Sequence, residues 1–219
     1  MKLFTKSPMD DESFHVLFDQ PDAVHDLGVS LRRRLVIRPA NTEVVFMCIG
    51  TDRSTGDALG PLVGSYLLES LPATPVYGTL DKPVHAVNLS EAIAKVENEH
   101  VVPFVIAIDA CLGQVSNLGQ ITLSEGALHP GAGVHKKLPQ IGDLHITGVV
   151  NVGGFMEYFV LQNTRLGVVI AMAKVISQAV TLAITGLAQA ELQYETEMLI
   201  KKESVSSRWG ALFRGRAAP

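Results

Sequence analysis

Two runs of six residues carry most of the constraint on this fold: Val44–Ile49 and Pro103–Ile108 contain no polar side chain that alternates with the apolar ones. A strand with one wet face alternates, so an unbroken apolar run must be covered on both faces, as in a parallel sheet with helices on each side. The first run closes at Gly50 and gives way to a polar loop, Thr51 to Gly56, then Asp57 and a helical stretch from Leu59 to Leu71. Pro61 suits the first turn of that helix, where its missing N–H is not needed. The second run ends at Asp109.

The remaining pattern supports the same class. Ala23 to Val36 reads as an amphipathic helix, Val84 to Val87 as a short extended segment and Ser90 to Asn98 as a helix. Gln120 to Leu123 alternates and suits an edge strand. Residues 126–154, rich in Gly, Pro and His, read as loops around a short strand near His145 to Val150, and a long helix follows Asn163. Strands alternating with helices point to a three-layer α/β/α sandwich with a mostly parallel central sheet. The reading is one domain: an irregular lead-in over residues 1–20, a core over about 40–190, and a charged tail over 191–219.

Composition narrows the function classes. The chain is 47% hydrophobic and 18% charged, which excludes intrinsic disorder. A net charge of −4 with no basic tract argues against a protein that grips nucleic acid. Met1 to Gln20 has no sustained apolar core and contains Asp10, Asp11 and Glu12, unlike a secretory signal. Leu166 to Ala188 is long enough to span a bilayer. Lys174, Gln178, Thr181, Thr185 and Gln189 nevertheless recur at helical spacing and form one polar stripe. A packed core helix with a wet stripe is expected, not a membrane span, and its apolar remainder offers a face for a homo-oligomer. Cys48 and Cys111 lie in apolar surroundings and read as reduced thiols of a cytoplasmic protein.

In parallel α/β sheets ligands bind beyond the carboxyl ends of the strands. Two such ends carry acids here, in Gly50-Thr51-Asp52-Arg53-Ser54-Thr55-Gly56-Asp57 and in Asp109-Ala110-Cys111-Leu112-Gly113. If the strands are neighbours, Asp57 and Asp109 face one crevice. Two carboxyls in one site push a pKa upward and yield one acid and one base. They are equally hard oxygen ligands for a divalent metal, completed by a histidine among His129, His135 and His145. Asp57 also stands where an aspartate caps a helix. P-loop, dinucleotide-binding, nucleophile-elbow and zinc-cluster patterns are all absent.

The segments CIGTDRSTGDALGPLVG (48–64), IAIDACLG (106–113) and LHPGAGVHKKLPQIGDLHITGVVNVGGFMEYFVLQNTRL (128–166) resemble the YyaC family of sporulation proteins. That family is similar to the germination protease that degrades small acid-soluble spore proteins, and more distantly to the hydrogenase-maturation endopeptidases. The resemblance implies a phosphorylase/hydrolase-like α/β/α fold and a cytoplasmic peptidase that needs no cofactor and takes a protein or peptide substrate. It places the catalytic acids on Asp57, within Asp57-Ala58-Leu59-Gly60-Pro61, and on Asp109. Substrate contacts are expected from Thr51, Asp52 and Arg53 in the loop after the first run, and from His129, Gly131 and Gly133, which match the germination protease's His-Pro-Gly-Ser-Gly stretch. From the hydrogenase-maturation side the resemblance implies, alternatively, a metal held by Asp57, Asp109 and one loop histidine. Thr51 stands where these relatives usually carry asparagine.

Overall fold

A computed structural model describes residues 13–131, 138–154 and 156–214. They form a six-stranded mixed sheet and five α-helices. In chain order these are β1 (Phe14–Leu17), α1 (Ala23–Val36), β2 (Glu43–Cys48), α2 (Leu59–Ser70), β3 (Val76–Tyr77) and α3 (Leu89–Glu99). Then come β4 (Pro103–Gly113), β5 (Gln120–Glu125), β6 (Leu144–Val152), α4 (Glu157–Gln162) and α5 (Leu166–Arg214). The strand order is β1-β5-β6-β4-β2-β3. β3, β2, β4 and β6 pair in parallel, while β5 runs antiparallel to both β6 and β1.

The two apolar runs lie side by side at the centre, with Phe46 opposite Ile106 and Cys48 opposite Ile108. Alternate residues along them feed two separate apolar clusters. Phe46, Cys48, Ile106 and Ile108 pack with Leu27 and Leu31 of α1, Leu59 and Val63 of α2, and Met172 and Ile176 of α5. Val45, Met47, Val105 and Ala107 pack with Leu89 and Val96 of α3. Apolar burial on both faces is what an unalternating run requires.

α1 presents Ala23, Leu27, Leu31 and Leu35, a four-residue repeat, to this core. It crosses α5 so closely that a Cβ on Gly28 would lie 3.0 Å from the Ala179 carbonyl oxygen. α5 buries Val169, Met172, Ala173, Ile176, Val180 and Ala183. Its polar stripe lies on the other side: Lys174, Gln178, Thr185 and Gln189 are exposed and Thr181 is half-buried. Leu166–Ala190 is long and apolar enough to cross a membrane by length and composition, and in this fold one face of it is core.

Three expectations need correction. Residues 1–20 were expected to be irregular, but Phe14–Leu17 forms β1 on the outside of β5. Gln120–Glu125 is consequently an inner strand, not an edge. Both follow from one long-range pairing, which four residues such as Phe-His-Val-Leu cannot announce alone. Third, β4 does not end at Ile108. Its pairing with β2 stops at Cys48 opposite Ile108, but its pairing with β6 continues from Asp109 opposite Thr147 to Gly113 opposite Val152. A register shift at Cys111/Leu112 marks a bulge in this overhang. β4 therefore outruns β2, and a cleft opens over the end of the shorter strand.

Candidate active site

Asp57 is positioned by close backbone approach. After β2, Ile49 N–H donates to the Ile108 carbonyl at 2.7 Å, Gly50 N–H to Val84 at 2.8 Å and Thr51 N–H to Asp57 at 3.1 Å. The last contact folds the loop back, so that Asp57 sits in a 3-10 turn, Gly56–Ala58, leading into α2. The approach tolerates no side chain at Gly50, where φ is +145° and a Cβ would lie 1.9 Å from the Asp57 carbonyl oxygen. No side-chain hydrogen bond caps the turn or α2, so Asp57 is not the helix cap that its position suggested.

Asp109 occupies the first β4 position beyond the end of β2. Alternation puts it and Cys111 on the α3 face, whereas Ala110 and Leu112 pack into the opposite cluster. Ala110 N–H donates to Asp109 Oδ1 at 2.8 Å.

Both acids line one cleft of about 210 Å³. Its walls are largely apolar, including Ile49, Leu112, Pro130, Leu138 and Leu161, with Tyr158 beside them. This environment disfavours the charged form of each carboxyl. Burial raises the pKa of Asp57, with partial relief from the Ser54 hydroxyl. That relief is weak, since Ser54 Oγ is buried without a partner of full hydrogen-bond geometry. Burial raises Asp109 well above the ordinary carboxylate range; the Ala110 N–H opposes this and the charge of Asp57 adds to it. A second proton-holding group, acting on the first, is the electrostatic signature of a carboxyl pair.

Of the other residues singled out in the sequence, Thr51 and Gly131 line the cleft. Thr51 Oγ1 donates to Asp52 Oδ1 at 3.4 Å and accepts from Arg53 N–H at 3.3 Å. Asp52 and Arg53 themselves are exposed beside the cleft and are not part of its lining. His129 is exposed and accepts from Gln140 Nε2 at 2.6 Å. His145 lies opposite Ala107, well before Asp109, and its Nδ1 donates to the Gly126 carbonyl at 2.9 Å. Neither histidine lines the cleft. Gly133 and His135 lie outside the described residues. Among the described residues, no three His, Cys, Asp or Glu side chains converge closely enough to hold a metal ion. Asp57 and Asp109 alone are a poor donor set for nickel or zinc, which favour nitrogen and sulfur ligands.

His85 and Cys111 are among the cleft residues that the sequence did not single out as site residues. His85 lines the cleft, and its only sequence signal was membership of the extended segment Val84 to Val87. Cys111 also lines it, and its thiol is pushed up to about 11, by burial first, with Thr147 opposing and the Asp109 charge adding. Such a thiol is almost wholly protonated at neutral pH and is no nucleophile. Iodoacetamide at pH 8 is expected to label Cys111 on the order of 10²-fold more slowly than a free cysteine, by their thiolate fractions. Labelling at the free-thiol rate, read by mass spectrometry, would contradict this.

Comparison with known proteins places the chain beside proteins without an assigned activity. A family model described as "Protein of unknown function (DUF1256)" matches residues 16–179. The "Uncharacterized protein YyaC" of Bacillus subtilis (strain 168) is 56% identical over 157 residues, covering 71% of this chain and 74% of that protein.

Proposed function

The chain belongs to the DUF1256 family, and we propose that it is a peptidase in which Asp57 and Asp109 share one proton across a small apolar cleft. The observation that carries this reading is that both carboxyls line the same cleft, each pushed upward by burial, with Asp57 raising Asp109 further. The pair titrates as a unit, with Asp109 the favoured holder of the proton. The Asp57 carboxylate then takes a proton from water as the water oxygen attacks the peptide carbonyl carbon. Asp109 gives its proton to the departing nitrogen as the C–N bond breaks. The new acid keeps its hydroxyl from the water, and the dyad retains one proton. The apolar walls keep bulk water from the pair and suit a peptide side chain.

The finer fold proposed is the phosphorylase/hydrolase-like α/β/α sandwich, supported by helices on both faces of the central strands. The sporulation setting, the cytoplasmic location and small acid-soluble spore proteins as substrate rest on the resemblance of the motifs around Asp57 and Asp109. The test incubates wild type, Asp57→Asn and Asp109→Asn with small acid-soluble spore proteins and reads the products by mass spectrometry. Fragments are expected from wild type alone; identical fragments from all three proteins would overturn the dyad. Activity restored or created only by added divalent metal would replace it with metal-assisted hydrolysis.

A further inference from the structure

The geometry points to His85 as a hydrogen-bond donor in this cleft, offering its Nε2–H to the carbonyl oxygen of the peptide that the acid pair hydrolyses. The inference rests on the peptidase reading and adds to it the group that stabilises the developing oxyanion.

Its first support is placement. Val84 bridges in parallel to Ile49, and Gly50 N–H donates to the Val84 carbonyl at 2.8 Å. The backbone before His85 thus flanks the end of β2 on one side, as β4 with Asp109 flanks it on the other. Two strand spacings separate them, roughly 10 Å between backbones. His85, Asp57 and Asp109 nonetheless line one cleft, without converging as metal ligands do. This arrangement leaves room for a peptide group between the imidazole and the acids.

Its second support is the tautomer. Val87 N–H donates to His85 Nδ1 at 3.3 Å. A nitrogen that accepts carries no proton, so the ring proton sits on Nε2. The third support is rigidity. His85 N–H donates to Asn88 Oδ1 at 2.8 Å, and Asn88 Nδ2 donates to the Pro83 carbonyl at 3.0 Å. The His85 carbonyl accepts from Asn88 N–H at 3.1 Å and Leu89 N–H at 2.9 Å, tying the residue to the start of α3. A donor held in advance, in an apolar cleft, stabilises transition-state charge without reorganising.

The test compares His85→Ala, His85→Gln and His85→Asn, with circular dichroism to confirm folding. Glutamine can place a donor N–H where Nε2 was, whereas asparagine can only keep the acceptor that serves Val87. His85→Ala and His85→Asn are expected to lower kcat for spore-protein cleavage about 10²-fold with little change in KM. His85→Gln is expected to recover at least about tenfold of that loss. A His85→Asn enzyme near wild type, or a His85→Gln enzyme no better than His85→Ala, overturns the donor role. Asp109→Asn assayed alongside separates the two readings: if it cleaves like wild type the dyad fails, while the Gln/Asn comparison still judges His85. Independently of cleavage, 15N NMR of the wild-type ring is expected to show the Nε2–H tautomer, and an Nδ1–H tautomer overturns the inference.

Discussion

Asp109→Asn is expected to be more stable than wild type at neutral pH and to lose about 10²- to 10⁴-fold in peptide hydrolysis, the range carried by a general acid–base group. The stability gain follows from the raised pKa. The folded state holds the Asp109 proton well above the ordinary carboxylate range, whereas the unfolded chain releases it at about pH 4. Between the two, the folded state binds more protons, so wild-type stability is full below about pH 4 and falls as pH rises through the folded pKa. The slope reaches at most about 1.4 kcal/mol per pH unit for one proton. Asparagine has no proton to lose and keeps an oxygen for the Ala110 N–H. Its urea midpoint should therefore be flatter over this window than that of wild type, apart from titrations elsewhere. Parallel pH profiles for the two proteins would show that Asp109 ionises normally and remove the electrostatic basis of the pair.

Gly60→Ala is expected to destabilise the fold by about 1–2 kcal/mol, and to disturb Asp57 with it. A Cβ at Gly60 would lie 2.0 Å from the Ile49 carbonyl oxygen, where α2 begins against the end of β2. Backbone cannot rotate away as a side chain can, so strand and helix must part. Overpacking of this kind costs about 1–3 kcal/mol and sometimes more. Alanine returns up to about 1 kcal/mol through helix propensity, so the clash wins. Gly167, the second residue of α5, provides the contrast, because nothing lies within 4 Å of a Cβ there. Gly167→Ala is expected to be neutral or slightly stabilising. Urea midpoints in which Gly60→Ala is no lower than Gly167→Ala would mean that the approach at Ile49 is not tight.

Legibility in the sequence followed the range of the interactions involved. The paired runs at 44–49 and 103–108 were readable because unbroken hydrophobicity is a local statement about burial. α1 was legible to the residue for a similar reason: its four-residue apolar repeat and terminal arginines are local signals. β1 was not, since four residues become a strand only by meeting Gln120–Leu123 more than 100 positions away. The site divided in the same way. Asp109 stood out because an acid closing a buried strand is a desolvation liability, and Asp57 because it closes the polar loop after the first apolar run and falls within the resemblance motif. His85 did not, because nothing in its neighbours in sequence distinguishes a cleft histidine from a surface one.

The sequence by itself thus determined which segments had to be buried on both faces and which acids lay at their ends. Tertiary structure decided that β4 extends past β2, so that Asp109, paired with β6 on one side, meets an open cleft on the side where β2 has ended. It also decided that Gly50 and Gly60 bring the Asp57 turn against the end of β2, and that His85, not His129 or His145, lines the cleft. The physical reason is common to all three. Hydrophobic pattern is carried residue by residue, whereas strand overhang, backbone approach and the company of a side chain exist only between segments that are distant in the chain.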